Sequence, residues 1–391
     1  MTQNKLPSAY ICTNLDFEYQ LAQGISYQQS KHYIQRNHAW RYILRLLPEY
    51  RQAEAITFPA QHSTKKPIPR TIPEEHVGLP LIAWGNTQHM EMLAKSNGLL
   101  CQSASIEDIA RLNDKTTSHL WEKELDCALP YSKLVSNLDE LLEAIQECPF
   151  DWLAKHPQGV SGRERIMGEV GQLHPRHNRW LEKRFKEGWS LVFEPLVDDL
   201  HEYSVQYVLQ PPREGEPRSS RIQFVGSCEL FADRGGVFRG HKVVPGFSAP
   251  KEILEVTQCA VEKIAETSYF GPVGFDTFTG SLGTESVLRP ITEINTRYTF
   301  GYMALALSDI VPKGWSYLWW HPSFKRAKQL QSENNSPLSE LTPDLQHAQL
   351  CKLPSWLDPE GKTNTWVIVA KEKDELNQLI RDFLEEKDKV L

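Results

Sequence analysis

The chain has no uninterrupted apolar run, no surplus of positive charge and no paired cysteine spacing, and each absence removes a class of function. Its most apolar long stretch, 301–320, is broken by Asp309 and Lys313. A bilayer span tolerates such charges poorly, so no membrane partner is expected. The opening Met1-Thr2-Gln3-Asn4-Lys5 lacks the apolar segment of a secretory signal, which makes a cytoplasmic location the expectation. Lys and Arg number 43 against 50 Asp and Glu, a formal net charge of −7. Nucleic-acid binders carry a basic excess, so nucleic acid is not an expected partner. Local groups such as Arg176, His177 and Arg179 stay open to either phosphate contact or plain solvation. The seven cysteines (12, 101, 127, 148, 228, 259 and 351) are dispersed and odd in number, which fits reduced structural thiols rather than zinc or redox chemistry. There is no internal repeat and no low-complexity tract.

What is present suits a multi-lobed enzyme. With 391 residues, 40% of them hydrophobic, the chain is long enough for two or three cores. Three consecutive segments are expected: a small α/β lobe over 1–105, a second unit over 106–190, and a third over 191–391. In the first, Ile34, Ala39, Ile43, Leu46 and Leu47 give a helical apolar face ending at Pro48, with short strands at 55–58 and 81–84. In the second, a helix from Ile106 carries Asn113-Asp114-Lys115. Asn137 and Glu140 have capping-box spacing, and Trp152-Leu153-Ala154-Lys155 forms a strand. In the third, Leu191 to Glu194 and Glu202 to Leu209 are strands, and Pro250 opens a helix. Residues 330–365 look loosely structured. A strand at 366–370 precedes an amphipathic helix carrying Leu376, Leu379, Ile380, Phe383 and Leu384.

The chemistry concentrates near the end of the third segment. Gly274-Phe275-Asp276-Thr277-Phe278 is followed, seventeen residues after its carboxylate, by Glu293-Ile294-Asn295-Thr296-Arg297. Between them Thr279-Gly280-Ser281-Leu282-Gly283 has the glycines of a hairpin turn. Folding that hairpin brings Asp276 beside Glu293 and Asn295, which share a face by strand periodicity. Hard oxygen ligands of this kind suit Mg²⁺, which combines one or two carboxylates with substrate phosphates. Upstream, Lys115 and Lys155 are candidate phosphate cations. Ser161-Gly162-Arg163 offers amides, a hydroxyl and a guanidinium to a phosphate chain. Glu194-Pro195-Leu196 could pair with an adenine edge, and Glu202 with ribose hydroxyls. Taken singly, each of these is equally an ordinary surface residue. Arg297 can neutralise a transferring phosphoryl group or simply pair with Glu293.

In this order, the residues resemble the ATP-grasp superfamily of carboxylate–amine ligases over about 105–310, with the N-terminal lobe similar to that family's preceding α/β domain. The resemblance implies an α/β fold in which ATP lies between two α+β subdomains. It makes Lys115 and Lys155 the nucleotide-phosphate lysines, 159–163 the flexible phosphate loop, and Glu194 with Leu196 the adenine hinge. Glu202 becomes the ribose carboxylate, Asp276, Glu293 and Asn295 the Mg²⁺ set, and Arg297 the catalytic arginine, aided by loop donors including Arg163. Two positions depart from the pattern. Glu164 stands where such loops carry a small residue, which suggests an altered loop or an acidic group facing an amine. Gly274 stands where D-alanine-ligase-like members have an arginine. The implied reaction activates a carboxylate as an acyl phosphate and transfers it to the amine of an amino acid or peptide. A kinase on the same fold and a nucleotide-binding protein without turnover are the alternatives. Arg218, Arg221, Arg234, Arg239 and His241 are either a carboxylate-binding cluster or a solvated loop. A homodimer is the default oligomer for such an enzyme.

Overall fold

A computed structural model of the chain describes residues 7–59, 68–159, 164–232, 237–331, 336–338 and 349–385. They form two compact units, neither of which is contiguous in sequence. One comprises 1–103, 225–248 and 298–391; the other comprises 104–224 and 249–297. Three consecutive segments were expected. Residues 191–391 instead divide between both units, because the chain leaves the second unit and returns to it.

In the first unit, Tyr10–Cys12 lies at the centre of a three-stranded sheet, parallel to Glu54–Ala55 on one side and Leu81–Ala83 on the other. Parallel neighbours need crossover connections, and the helices Lys31–Ala39 and Gln88–Asn97 lie in the intervening and following chain. This is the α/β lobe that the sequence suggested. The expected long helix ending at Pro48 is instead the helix Lys31–Ala39 followed by a 3₁₀ turn at Ile43–Leu46. The same unit holds four successive antiparallel strands, Phe238–Val243, Ser316–Trp320, Trp366–Ala370 and Gln349–Lys352. Trp40, Leu44, Trp319, Val367 and Met303 share one buried core there. The closing helix Lys373–Glu385 seats Leu376 and Ile380 against Leu318 and Ile368. Within 330–365, the strand Gln349–Lys352 is ordered, while 332–335 and 339–348 lie outside the described residues.

In the second unit, an antiparallel sheet runs in the order Lys133–Val135, Leu191–Pro195, Trp152–Lys155, Arg165–Gly168. Its apolar face packs Trp152, Ala154 and Phe193 beneath the helices Leu138–Glu147 and Asn178–Lys186. Asn137 caps its helix, its Oδ1 accepting from the Glu140 N–H at 2.9 Å, but the return bond of a capping box is displaced by one residue: Glu140 Oε2 accepts from the Ser136 N–H at 2.7 Å. Three long antiparallel strands complete the unit, with Gly271–Leu282 between Asp198–Leu209 and Glu285–Asn295. Their hairpin turns later than expected, at Gly283-Thr284, where Gly283 takes φ +60°. Gly280 belongs to the strand itself. A Cβ there would come within 2.5 Å of Val197 Cγ1, so only glycine permits that approach.

Two members of the supposed basic cluster are structural. Arg221 is buried and donates to the carbonyls of Gln210, Ala265 and Tyr269 at 2.9, 2.7 and 2.7 Å, which makes it a strut between loops. Arg218 pairs with Glu266 on the surface, and Arg234 lies outside the described residues. His241 is buried in the other unit beside Phe238, across the ladder from Trp319. Burial pushes its imidazole down to about 3, so the folded state excludes the proton that the unfolded chain takes up below about 6.5. Its contribution is therefore intact above the unfolded value and is lost as the pH falls, by about 2 kcal/mol on reaching about pH 5. Thermal melts from about pH 7.5 to about pH 5 should show a smaller fall in Tm for His241→Phe than for the wild type. Parallel curves would refute this.

Candidate functional site

The site begins with strand register. Asp276 pairs directly with Glu293, and Gly274 with Asn295, across the antiparallel ladder. Side chains of paired residues share a sheet face, so Asp276, Glu293 and Asn295 converge as the sequence suggested. Asn295 Nδ2 donates to Asp276 Oδ2 at 3.1 Å. On the neighbouring strand Glu202 lies opposite Phe278, two positions along from Asp276 and on the same face. Burial, and then the Glu293 charge, push the Asp276 carboxyl up to about 7, while Arg297 and the Asn295 amide oppose the rise. Burial likewise raises Glu202, against the pull of Lys155 and Arg165.

Two observations fit a divalent cation here. Two crowded carboxylates repel each other, which a cation between them would relieve. The Asn295 Oδ1 is buried with no hydrogen-bond partner among the described residues, so an oxygen ligand is left over. No group of three His, Cys, Asp or Glu side chains gathers among the described residues. Two carboxylates and an amide match the partial shell that Mg²⁺ completes with phosphate and water.

The cations come from two other elements. The expected continuous helix through Asn113-Asp114-Lys115 breaks there. Ile106–Leu112 ends, and Asp114 caps a new helix, Lys115–Glu124, by accepting from the Thr116 N–H at 2.8 Å. Lys115 thus occupies the first helical position, where its ammonium reaches Glu293 Oε1 at 3.2 Å and the Gly159 carbonyl at 2.7 Å. Lys155 ends its strand and pairs with Glu194 on the adjoining strand, on the sheet face opposite Trp152 and Phe193. Burial lowers the Lys155 ammonium, and Glu194 opposes that shift.

Three of the expected positions need correction, and three more lie outside the described residues. The Leu196 N–H donates to the Asp151 carbonyl at 2.6 Å, so Leu196 is not the backbone donor of an adenine hinge. Backbone groups alternate sides along a strand, which turns the Pro195 carbonyl toward the opposite edge. The role read into Glu194 also changes, because its carboxylate is buried between Lys155 and Arg289. Glu164 does not face an amine. Its carboxylate accepts from Trp180 Nε1 at 3.1 Å and pairs with Arg184, latching the end of the loop to the helix Asn178–Lys186. Ser161, Gly162 and Arg163 lie outside the described residues. Arg297 follows the strand directly, and its charge is felt by Asp276.

Sequence reasoning missed Arg289 and Glu122. Arg289 Nε and Nη2 donate to the two Glu122 oxygens at 2.8 and 3.0 Å, and Nη1 donates to Glu194. One signal was available: Glu122 lies seven residues after Lys115, on the same helix face, and Arg289 interrupts an otherwise uncharged Val287-Leu288-x-Pro290-Ile291 segment. His119, on the same helix, is buried with neither ring nitrogen partnered among the described residues. Burial, with help from Lys123 and Arg289, pushes it down to about 4.

No protein-family model matches the sequence, and no curated protein matches it. Solved structures do match. Carboxyaminoimidazole ribonucleotide synthase from Aspergillus clavatus, complexed with ATP, superposes with a TM-score of 0.55 at 10% identity over 98% of this chain and 99% of that one. The Aspergillus clavatus enzyme complexed with ADP and 5-aminoimidazole ribonucleotide gives 0.53 at 11% identity, covering 98% and 99%. N5-carboxyaminoimidazole synthetase from Staphylococcus aureus gives 0.52 at 13% identity, covering 98% and 100%. Agreement over nearly the whole of both chains shows that this chain has the ATP-grasp fold.

Glu293→Ala and Asn295→Ala should each cut divalent-dependent ATP turnover by at least about 100-fold with unchanged circular dichroism and Tm. Retained turnover in either would remove the metal assignment.

Proposed function

We propose that the chain is an ATP- and Mg²⁺-dependent ligase that activates a small-molecule carboxylate as its acyl phosphate and joins it to an amine. The reading rests on one observation above all: Asp276, Glu293 and Asn295 converge on one sheet face, and Lys115 reaches Glu293, within a single compact unit of an ATP-grasp fold. Solved neighbours were captured with ATP and with ADP, which supports the same nucleotide here. Adenine would pair with the Pro195 carbonyl and the following Val197 N–H, and Glu202 would take the ribose hydroxyls. Lys115 and Lys155 would neutralise phosphate oxygens. Bound at Asp276, Glu293 and Asn295, Mg²⁺ would supply Lewis-acid charge at the phosphates.

A substrate carboxylate attacks the γ-phosphorus, the bond to the β-bridging oxygen breaks, and ADP leaves. The amine then attacks the acyl carbon, loses a proton and expels phosphate. Arg297 neutralises charge on the acyl phosphate and on the tetrahedral intermediate. The substrates are proposed to be amino-acid-like, as carboxylate and as amine. Consistent with a small-molecule enzyme, no helix among the described residues is long and apolar enough to cross a membrane.

ADP release with Mg²⁺-ATP should appear only when a carboxylate and an amine are supplied together, from a panel of amino acids and short peptides. Release with a single hydroxyl or amine acceptor would make the protein a kinase and overturn the ligase reading. Arg297→Ala should lower kcat more than it raises the KM for ATP, because its contact is with charge that develops during reaction.

A further inference from the structure

Arg289 has no part in the chemistry above, yet it is only 2% exposed and fully engaged. From the strand Glu285–Asn295 it grips both oxygens of Glu122 on the Lys115–Glu124 helix and one oxygen of Glu194 on the strand Leu191–Pro195. The other Glu194 oxygen pairs with Lys155. Four charges of alternating sign, Glu122, Arg289, Glu194 and Lys155, thus run through the interior of one unit and tie together three strands and a helix.

We infer that Arg289 is a positioning residue for ATP: by gripping one oxygen of Glu194, it leaves the other to aim the Lys155 ammonium at the nucleotide phosphates. The inference rests on the nucleotide-site reading given above. A buried carboxylate with one lysine as its only partner can pass a proton between the two and leave both neutral. Burial pushes the Glu194 carboxyl up, and Arg289, ahead of Lys155, pulls it back below the usual range. The remaining groups within electrostatic reach are His119 and Cys127 around the arginine and Lys115 and Glu202 around the lysine. His119 is held neutral by burial, so none of these substitutes for the guanidinium between two carboxylates. Lysine at 289 would keep one charge but not the three-way fork.

The test is a double-mutant cycle read by titration calorimetry. Arg289→Met should weaken ATP binding by about 30-fold, the scale of one charged contact, and leave adenosine binding within about threefold. Arg289→Lys should recover only part of the loss, because it keeps one charge and loses the fork. In a Lys155→Ala background the effect of Arg289→Met on ATP should vanish, because the two act through one ammonium. Should Arg289→Met fold poorly, Glu122→Leu with Arg289→Met replaces the buried pair by apolar side chains, which proteins commonly tolerate; it should show the same selective loss of ATP affinity. Wild-type ATP affinity in Arg289→Met, equal weakening of ATP and adenosine, or an undiminished effect without Lys155 would each overturn the inference. If Lys155→Ala alone leaves ATP affinity unchanged, the nucleotide-site reading fails, and this inference fails with it.

Discussion

The unit that holds Asp276, Glu293 and Asn295 depends on pairing charges that have been taken out of water. Glu194 is 3% exposed and Glu122 fully buried, and a lone carboxylate in either place would cost several kcal/mol. Arg289 satisfies both, and Lys155 closes the chain. Removing one member leaves an uncompensated charge inside, so the four side chains form a single condition on the fold. They join the sheet that carries Lys155 to the strands that carry Asp276, Glu293 and Asn295. On those strands Asp276 keeps an elevated carboxyl and Asn295 an orphaned amide oxygen.

The division into two interleaved units follows from how the strands are used. Long antiparallel hairpins such as 271–295 let a chain supply one side of a sheet, leave, and come back. The parallel Tyr10–Cys12 sheet and the antiparallel strands at 316–320 and 366–370 then build one unit from opposite ends of the sequence. Its packing relies on Trp40 and Trp319, and it holds His241 neutral.

Much of this was legible in the sequence where the signal is local. The Glu-x-Asn element and its upstream carboxylate meet because period-two alternation and a glycine turn fix the register. The Asn137 cap and the buried Leu376 and Ile380 of the last helix are equally local patterns. Features set by distant partners were not legible. The hinge donor could not be chosen between Leu196 and its neighbours without knowing that Asp151 accepts from Leu196. Arg221 was open to either a carboxylate-binding cluster or a solvated loop, and only the carbonyls of Gln210, Ala265 and Tyr269 show it to be a strut. Arg289 and Glu122 are 167 residues apart, and no spacing rule links them.

The central claim is that metal and nucleotide share one site, with the ion completed by phosphate oxygens. Electron paramagnetic resonance of Mn²⁺, titrated with and without ATP, tests it most directly. The expected result is weak binding of Mn²⁺ alone and tight binding once ATP is present, with the ATP-dependent gain abolished in Asp276→Asn. Equal Mn²⁺ affinity with and without ATP, or an ATP-dependent gain that survives in Asp276→Asn, would contradict the account.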